Sequence, residues 1–443
     1  MRSWLGRLRL VSAAIVLGVS SVSLPAAASQ STTFRPPLQL GFAQGDDWEP
    51  AVAVDGRHVY VFWMHFGANP PDCSLPANPH MVFQSSADGG TTWGPPHSIA
   101  CQAQFQADAQ LAVTLMPDGR HRLYASWMDS NQIDSPIWVA FSDDFSVSWN
   151  GPFLVTKLDH SGSGCDKDIL VASGPKVWVA CEHLVQSMVS FTPDIEHQPF
   201  TPVNVPTPSG TVALASAGGL DSHGNLYFTW DAIANQGIAK GPSTLLLTRS
   251  SDDGATWQSS TIDVSAAEPM ISGASYDFFG ASVALAILPR PGQATDRLVA
   301  VYHKGLTEGA PQRIYTRYSD DNGQHWLGGG QLSSAPVGSM HGFPSAAADA
   351  NGVRAAWMDN RVAPTCTSAT LPGKCGTWDV WFTTSPDGAT GWASEVRIDQ
   401  PAGFPFPYGD YQSMALDSSG NAFAAWGEGP DESGPGNIFF TRN

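Results

Sequence analysis

An all-β chain closed into a ring of seven four-stranded sheets is the architecture this sequence predicts, and three observations predict it. A short turn sequence, Ser250-Ser251-Asp252-Asp253-Gly254-Ala255-Thr256-Trp257, recurs along the 443 residues. Each recurrence sits late in a longer unit of apolar, alanine-rich strands, and seven such units can be traced. Apolar residues fall in short blocks bounded by Gly, Pro and Asp, without the long 3.6-residue periodicity of helices.

The turn reads S-x-D-x-G-x-T-W. Ser86 to Trp93 (SADGGTTW) nearly repeats it, and Ser319 to Trp326 (SDDNGQHW) keeps Ser, Asp, Gly and Trp. Ser385 to Trp392 (SPDGATGW) displaces the glycine, and Ser142 to Trp149 (SDDFSVSW) is looser. Asp can bond nearby backbone amides, Gly tolerates positive φ, and the Trp can pack the turn against the neighbouring sheet. These residues resemble the Asp-box, or BNR repeat, of sialidase-like β-propellers. The resemblance implies a propeller fold; the box chemistry itself points to structure and not to catalysis.

The units follow in chain order. The first has strands Pro50 to Val54, Val59 to Trp63 and Met81 to Ser85, with a fourth around His97 to Ala100. The second has Gln110 to Leu115, Arg122 to Trp127 and Ile137 to Phe141; the third has Ile169 to Ala172 and Val177 to Cys181, with a degenerate box near Ser190 to Asp194. Val212 to Ser216, Leu226 to Trp230 and Thr244 to Thr248 make the fourth, and Ser282 to Leu288, Leu298 to Tyr302 and Ile314 to Tyr318 the fifth. The sixth has Ser345 to Asp349, Gly352 to Trp357 and Asp379 to Thr383. The seventh, Ser413 to Asp417, Asn421 to Trp426 and Ile438 to Thr441, lacks a fourth strand, and Phe34 to Leu40 is an orphan strand able to supply it. Pairing the two closes the ring and removes its free edges. The alternative is a six-bladed ring with one unit misread, since sialidases proper have six.

Arg2, Arg7 and Arg9 precede an apolar run from Leu10 to Leu24 and the small residues Ala26-Ala27-Ala28, the pattern of a secretory signal peptide over residues 1–28. Residues 29–443 are then one exported propeller domain, expected to be a monomer with no transmembrane segment. Six cysteines fall as local neighbours, Cys73 with Cys101, Cys165 with Cys181 and Cys366 with Cys375, and the sequential pairing is the simplest of those open to them. A formal net charge of −18 disfavours nucleic acid as a partner.

Chain order fixes two faces. The boxes join third to fourth strands and occupy one face; the long variable loops, where function is expected on a rigid scaffold, occupy the other. Entering the inner strands at the loop face are Asp46, Asp47, Glu49, Asp108, Asp166, Asp168, Asp277, His341, Tyr408, Asp410 and Tyr411. Leaving the second strands are His65, Asp129, Glu182, His183, Asp231, His303, Asp359, Arg361 and Glu428.

The sialidase resemblance implies three arginines that clamp a carboxylate, a Tyr–Glu nucleophile and an Asp acid/base. Phe34-Arg35-Pro36-Pro37 imitates the F/Y-R-I-P motif of the first arginine but precedes the Asp46 to Trp48 entry, and the aligned Trp48-Glu49-Pro50-Ala51 carries an acid instead. Arg361 is the one arginine placed with assurance on the loop face, so sialidase activity itself is disfavoured. The chain is expected to act on or bind extracellular carbohydrate. As a glycoside hydrolase it would use mouth acids from Asp108, Asp277, Asp410 and Glu49 with Tyr411, and bind substrate through Trp48, His65, His303, His341 and Arg361. No cofactor motif is present, although oxygen ligands such as Asp47 and Asp168 would suit calcium. Two alternatives stay open: a non-catalytic binding scaffold, and a polysaccharide lyase using rim His and Tyr.

Overall fold

A computed structural model describes residues 32–443 apart from 43, 71, 75–78, 102–104, 131–134, 157–164, 184–185, 235–240, 268–281, 363–375, 401–402 and 431–433. The side chains of Ser130, His183, Gln186, Asp410 and Tyr411 are likewise outside the description. The expected leader, Asp277 and the Cys366/Cys375 pair therefore lie outside the described residues.

Seven sheets of four antiparallel strands form the molecule. Their innermost strands are Asp46–Asp55, Phe105–Leu115, Cys165–Ser173, Thr211–Leu220, Val283–Leu288, His341–Asp349 and Phe406–Leu416, which define blades 1 to 7. Each packs against the inner strand of the next blade, and the last packs against the first, which closes the ring. In blade 7 the outer strand is supplied by the chain's beginning: Leu38 pairs with Phe440 and Gln39 with Phe439. The seven-bladed reading with an N-terminal fourth strand holds, and the six-bladed alternative is set aside.

The blades are glued by tryptophan. Trp63, Trp127, Trp230, Trp357 and Trp426 occupy second strands and are all fully buried between sheets. A buried indole N–H needs an acceptor. Trp357 Nε1 donates to Asp359 at 2.9 Å, Trp426 Nε1 to Glu428 at 2.8 Å and Trp63 Nε1 to Asp47 at 2.8 Å. Asp359 and Glu428, at the loop end of their second strands, are thus explained by the tryptophan two residues earlier.

The boxes are built as their residues demand. In blade 4, Ser250 Oγ donates to Asp252 and accepts the Gly254 amide at 2.8 Å, while the Thr256 amide and hydroxyl both donate to Asp252. Asp88, Asp144, Asp321 and Asp387 make the corresponding bonds. In blade 3 the box starts at Thr192, whose hydroxyl accepts the Asp194 amide. The bound amides and hydroxyls hold the Asp252 carboxyl below the usual carboxylate range.

All the inner strands but that of blade 5 begin earlier than their sequences predict. Blade 1 starts at Asp46 rather than Pro50, and blade 6 at His341 rather than Ser345. In each case the register shifts by a bulge, between Trp48 and Ala51 and between Gly342 and Ser345. A proline inside the bulge, Pro50 or Pro344, reads as a strand start, because proline cannot join a ladder. The same bulge interrupts blades 2 and 3, between Ala107 and Gln110 and between Asp166 and Ile169. Its first residue is left-handed in all four: Glu49 (φ 58°), Asp108 (60°), Lys167 (54°) and Phe343 (52°).

Candidate functional site

The bulges lie at the loop face, opposite the boxes, and they aim side chains from one blade at the backbone of the next. Glu49 Oε2 accepts the Asp108 amide at 3.0 Å, and Asp108 Oδ2 accepts the Lys167 amide at 3.3 Å. On the other side Gly409 of blade 7 approaches so closely that a Cβ there would stand 2.9 Å from the Glu49 nitrogen. Blades 7, 1, 2 and 3 thus meet in an arc around the mouth.

Within that arc the acids differ in their surroundings. Glu49 and Asp108 are buried and spent on backbone amides. Asp168 is fully buried and takes the Ser126 hydroxyl of blade 2; burial, and then the nearby Asp108, drive its carboxyl well above the usual range. Asp166 is exposed. It stands directly across the strand pair from Glu182, which is half-buried. Burial, reinforced by Asp166, pushes Glu182 up to about 7. Opposite residues on antiparallel strands stand about 5 Å apart at Cβ.

A second group of carboxyls lines the join of blades 6 and 7. Asp379 and Asp399 share Arg397, at 2.8 Å each. Burial, then Asp399, raises Asp379 to about 6, and burial raises Glu428 to about 7. In the sequence Asp379 reads only as a strand start, and Arg397 and Asp399 carry no signal; the cross-strand pairing of Asp379 with Asp359 is revealed only by the register.

The remaining predicted residues are placed as follows. His65 is buried, with Nδ1 2.7 Å from Asp47 Oδ1. Gly45 and Gly67 press on its ring, where a Cβ would come within 2.2 Å and 2.9 Å. His303 is buried between Ser282 Oγ and the His341 carbonyl. His341 is buried against Ser333 Oγ at 2.7 Å and the Gln312 carbonyl at 2.9 Å, and burial lowers it to about 4. All three are core residues, so none meets substrate as placed. Trp48 packs edge-on against Tyr408 at 4.9 Å. Arg361 is clasped by Asp359 at 2.6 Å and by Glu395, with its guanidinium 3.8 Å from the Trp381 ring, and so has no charge left for an anionic sugar. The calcium expectation does not fit. Asp47 is held by Trp63 and His65 and Asp168 by Ser126, in separate blades, and no group of three or more His, Cys, Asp or Glu among the described residues is arranged for a metal.

Arg35 is on the other face. Its amide donates to the Arg442 carbonyl at 2.9 Å, and Arg442 pairs with Phe423 at the box end of blade 7. The Phe34-Arg35-Pro36-Pro37 motif therefore does not supply a mouth arginine. Disulfides Cys73–Cys101 and Cys165–Cys181 brace the loop face. No helix among the described residues is long and apolar enough to cross a membrane.

No family model matches the chain, and no curated protein matches it. Among solved structures it is similar to a protein of unknown function from Dyadobacter fermentans DSM 18053, at TM-score 0.51 and 14% identity over 93% of this chain and 98% of that one. It is also similar to Hadza microbial sialidase Hz136, at TM-score 0.45 and 14% identity over 90% of this chain and 65% of that one. A polysaccharide lyase of family PL25, an ulvan lyase, aligns at TM-score 0.43 and 10% identity over 80% of each chain. The likeness to the Dyadobacter protein is one of fold alone.

Proposed function

We propose that this chain is an exported propeller that acts on extracellular carbohydrate at its loop face, as a glycoside hydrolase with Glu182 as the general acid and Asp166 as its carboxylate partner. The observation that carries the reading is the Asp166–Glu182 pair itself: one exposed acid opposite one half-buried acid pushed up to about 7. Two carboxyls whose surroundings separate their proton affinities are the usual equipment for acid–base chemistry near neutrality. Residues paired directly across antiparallel strands stand about 5 Å apart at Cβ, close enough for both carboxyls to reach one bond. Glu49 accepts the Asp108 amide and Asp108 the Lys167 amide, which positions the bulge that carries Lys167 between Asp166 and Asp168. Export is supported by the two disulfides, which suit an oxidising compartment.

Purified protein incubated with a panel of neutral and acidic oligosaccharides, read as new reducing ends, tests the reading. Release by wild type that is lost in Glu182→Gln and Asp166→Asn supports it. No release from any member removes it. Binding without release supports the second reading, a non-catalytic carbohydrate-binding propeller, which the structural employment of Asp47, Glu49, Asp108 and Asp359 favours. A lyase mechanism through His65, His303 or His341 finds no support, since all three are buried.

A further inference from the structure

Two arginines stand side by side where the ring closes, on the face away from the mouth. Arg35 Nη1 and Arg442 Nη2 both donate to Thr91 Oγ1, at 3.2 and 3.3 Å. The segments carrying them are tied together by the Arg35 amide on the Arg442 carbonyl and by the Thr441 hydroxyl on the Arg35 carbonyl at 2.6 Å. Gly89 closes the third side, where an added Cβ would stand 3.7 Å from the Arg442 guanidinium. Arg35 and Thr91 are exposed, so solutes reach the place.

The arrangement is unfavourable as it stands. One hydroxyl oxygen serves two cations, and Arg442 Nε is buried with no hydrogen-bond partner. A buried donor left unsatisfied costs about 1–3 kcal/mol, more when charged. Asp88 and Asp417 attract Arg442 from a distance, but burial and Arg35 outweigh them and hold its guanidinium below its ordinary range. Asp88 is itself spent on the Thr91 and Thr92 amides and the Ser86 and Thr92 hydroxyls. In a chain with 22 Lys and Arg against 40 Asp and Glu, two arginines with no carboxylate paired to either among the described residues call for a separate anion.

We propose that Arg35, Arg442 and Thr91 form a binding site for an oxyanion, a sulfate, phosphate or carboxylate group, that bridges the first and last segments of the ring. Guanidinium groups bind such oxygens in paired, charge-assisted bonds, and a bridging anion would neutralise the repulsion between the two arginines. The anion is either a free inorganic ion or an acidic substituent on a carbohydrate chain.

Isothermal titration and thermal melts with sodium sulfate, against sodium chloride at matched ionic strength, test the site in wild type, Arg35→Gln and Arg442→Gln. Sulfate stabilises folded proteins generally, so the reading is the difference between variants. Sulfate is expected to bind wild type and to bind each variant about tenfold more weakly, the equivalent of one charge-assisted hydrogen bond. The melting gain specific to sulfate should disappear with it. Arg35 is exposed, so Arg35→Gln reports on the site even where Arg442→Gln folds poorly. Equal affinity and equal melting gains in all three proteins overturn the proposal. A sulfated oligosaccharide that displaces sulfate, where its desulfated counterpart does not, identifies a glycan as the source; binding confined to the inorganic ion identifies the free anion.

Discussion

The carboxylate of Glu49 in blade 1 accepts the backbone amide of Asp108 in blade 2 at 3.0 Å, and both residues hold left-handed backbone. Asp108 repeats the gesture toward Lys167 of blade 3. Each side chain fixes the strained bulge of its neighbour, so the inner mouth is a relay. Glu49→Gln keeps an acceptor and should leave unfolding in urea nearly unchanged. Glu49→Ala strands the Asp108 amide and should cost about 1–3 kcal/mol. Equal losses in the two variants would show that the charge, and not the acceptor, is what matters.

If Glu182 is the acid, activity should fall as pH rises through about 7, where its carboxyl loses its proton. Glu182→Gln should lower kcat about 10²- to 10⁴-fold and remove that alkaline limb. An alkaline limb that survives in Glu182→Gln places the acid elsewhere.

Stability should also depend on pH, with a definite sign. Glu182 and Glu428 are raised to about 7 and Asp129 and Asp379 to about 6, in each case chiefly by burial. The folded chain therefore holds more protons than the unfolded one between about pH 4 and 7, and stability is lost as pH rises across that window. His341, lowered to about 4, and His80, lowered by burial, act in the opposite direction, while Asp47, Asp168 and Asp399, also raised by burial, add to the four. Thermal melts should be higher at pH 5 than at pH 8. Glu428→Gln keeps an acceptor for the Trp426 indole and should match wild type at pH 5 while exceeding it at pH 8.

The box turns should fail at the serine. Ser250 is buried and its Oγ accepts the Gly254 amide. Ser250→Ala should cost about 1–3 kcal/mol in chemical denaturation, while Ser250→Thr should recover most of it, as Thr192 does in blade 3.

Replacing Cys73 and Cys101 by Ser opens a loop of 28 residues at the loop face. The expected loss is about 2–4 kcal/mol, seen as a lower Tm. An unchanged Tm would show that the loop is held by its packing.

The fold was legible because its signals are local. Box residues such as Ser86, Asp88 and Trp93 lie within eight positions of one another, and the missing fourth strand of blade 7 left a visible orphan at Leu38. The site was less legible because burial and register are not local. His65, His303 and His341 read as rim groups, yet all are enclosed by neighbouring segments. Asp166 and Glu182 stood on the loop face in the sequence, but only the register puts them directly opposite. Arg361 looked free until Glu395, 34 residues onward, closed on it. Pro50 and Pro344 hid the bulges by imitating strand starts.

The pairing of Leu38 with Phe440 and Gln39 with Phe439 joins segments about 400 residues apart. Until the stretch Asn437–Arg442 is made and threaded beside Leu38–Gln39, the nascent molecule is an arc with two raw sheet ends. Such ends recruit other chains, and contacts this distant in sequence form slowly. Folding yield and self-association during refolding should therefore respond to changes in these few residues more sharply than the small number of bonds in the joint would imply.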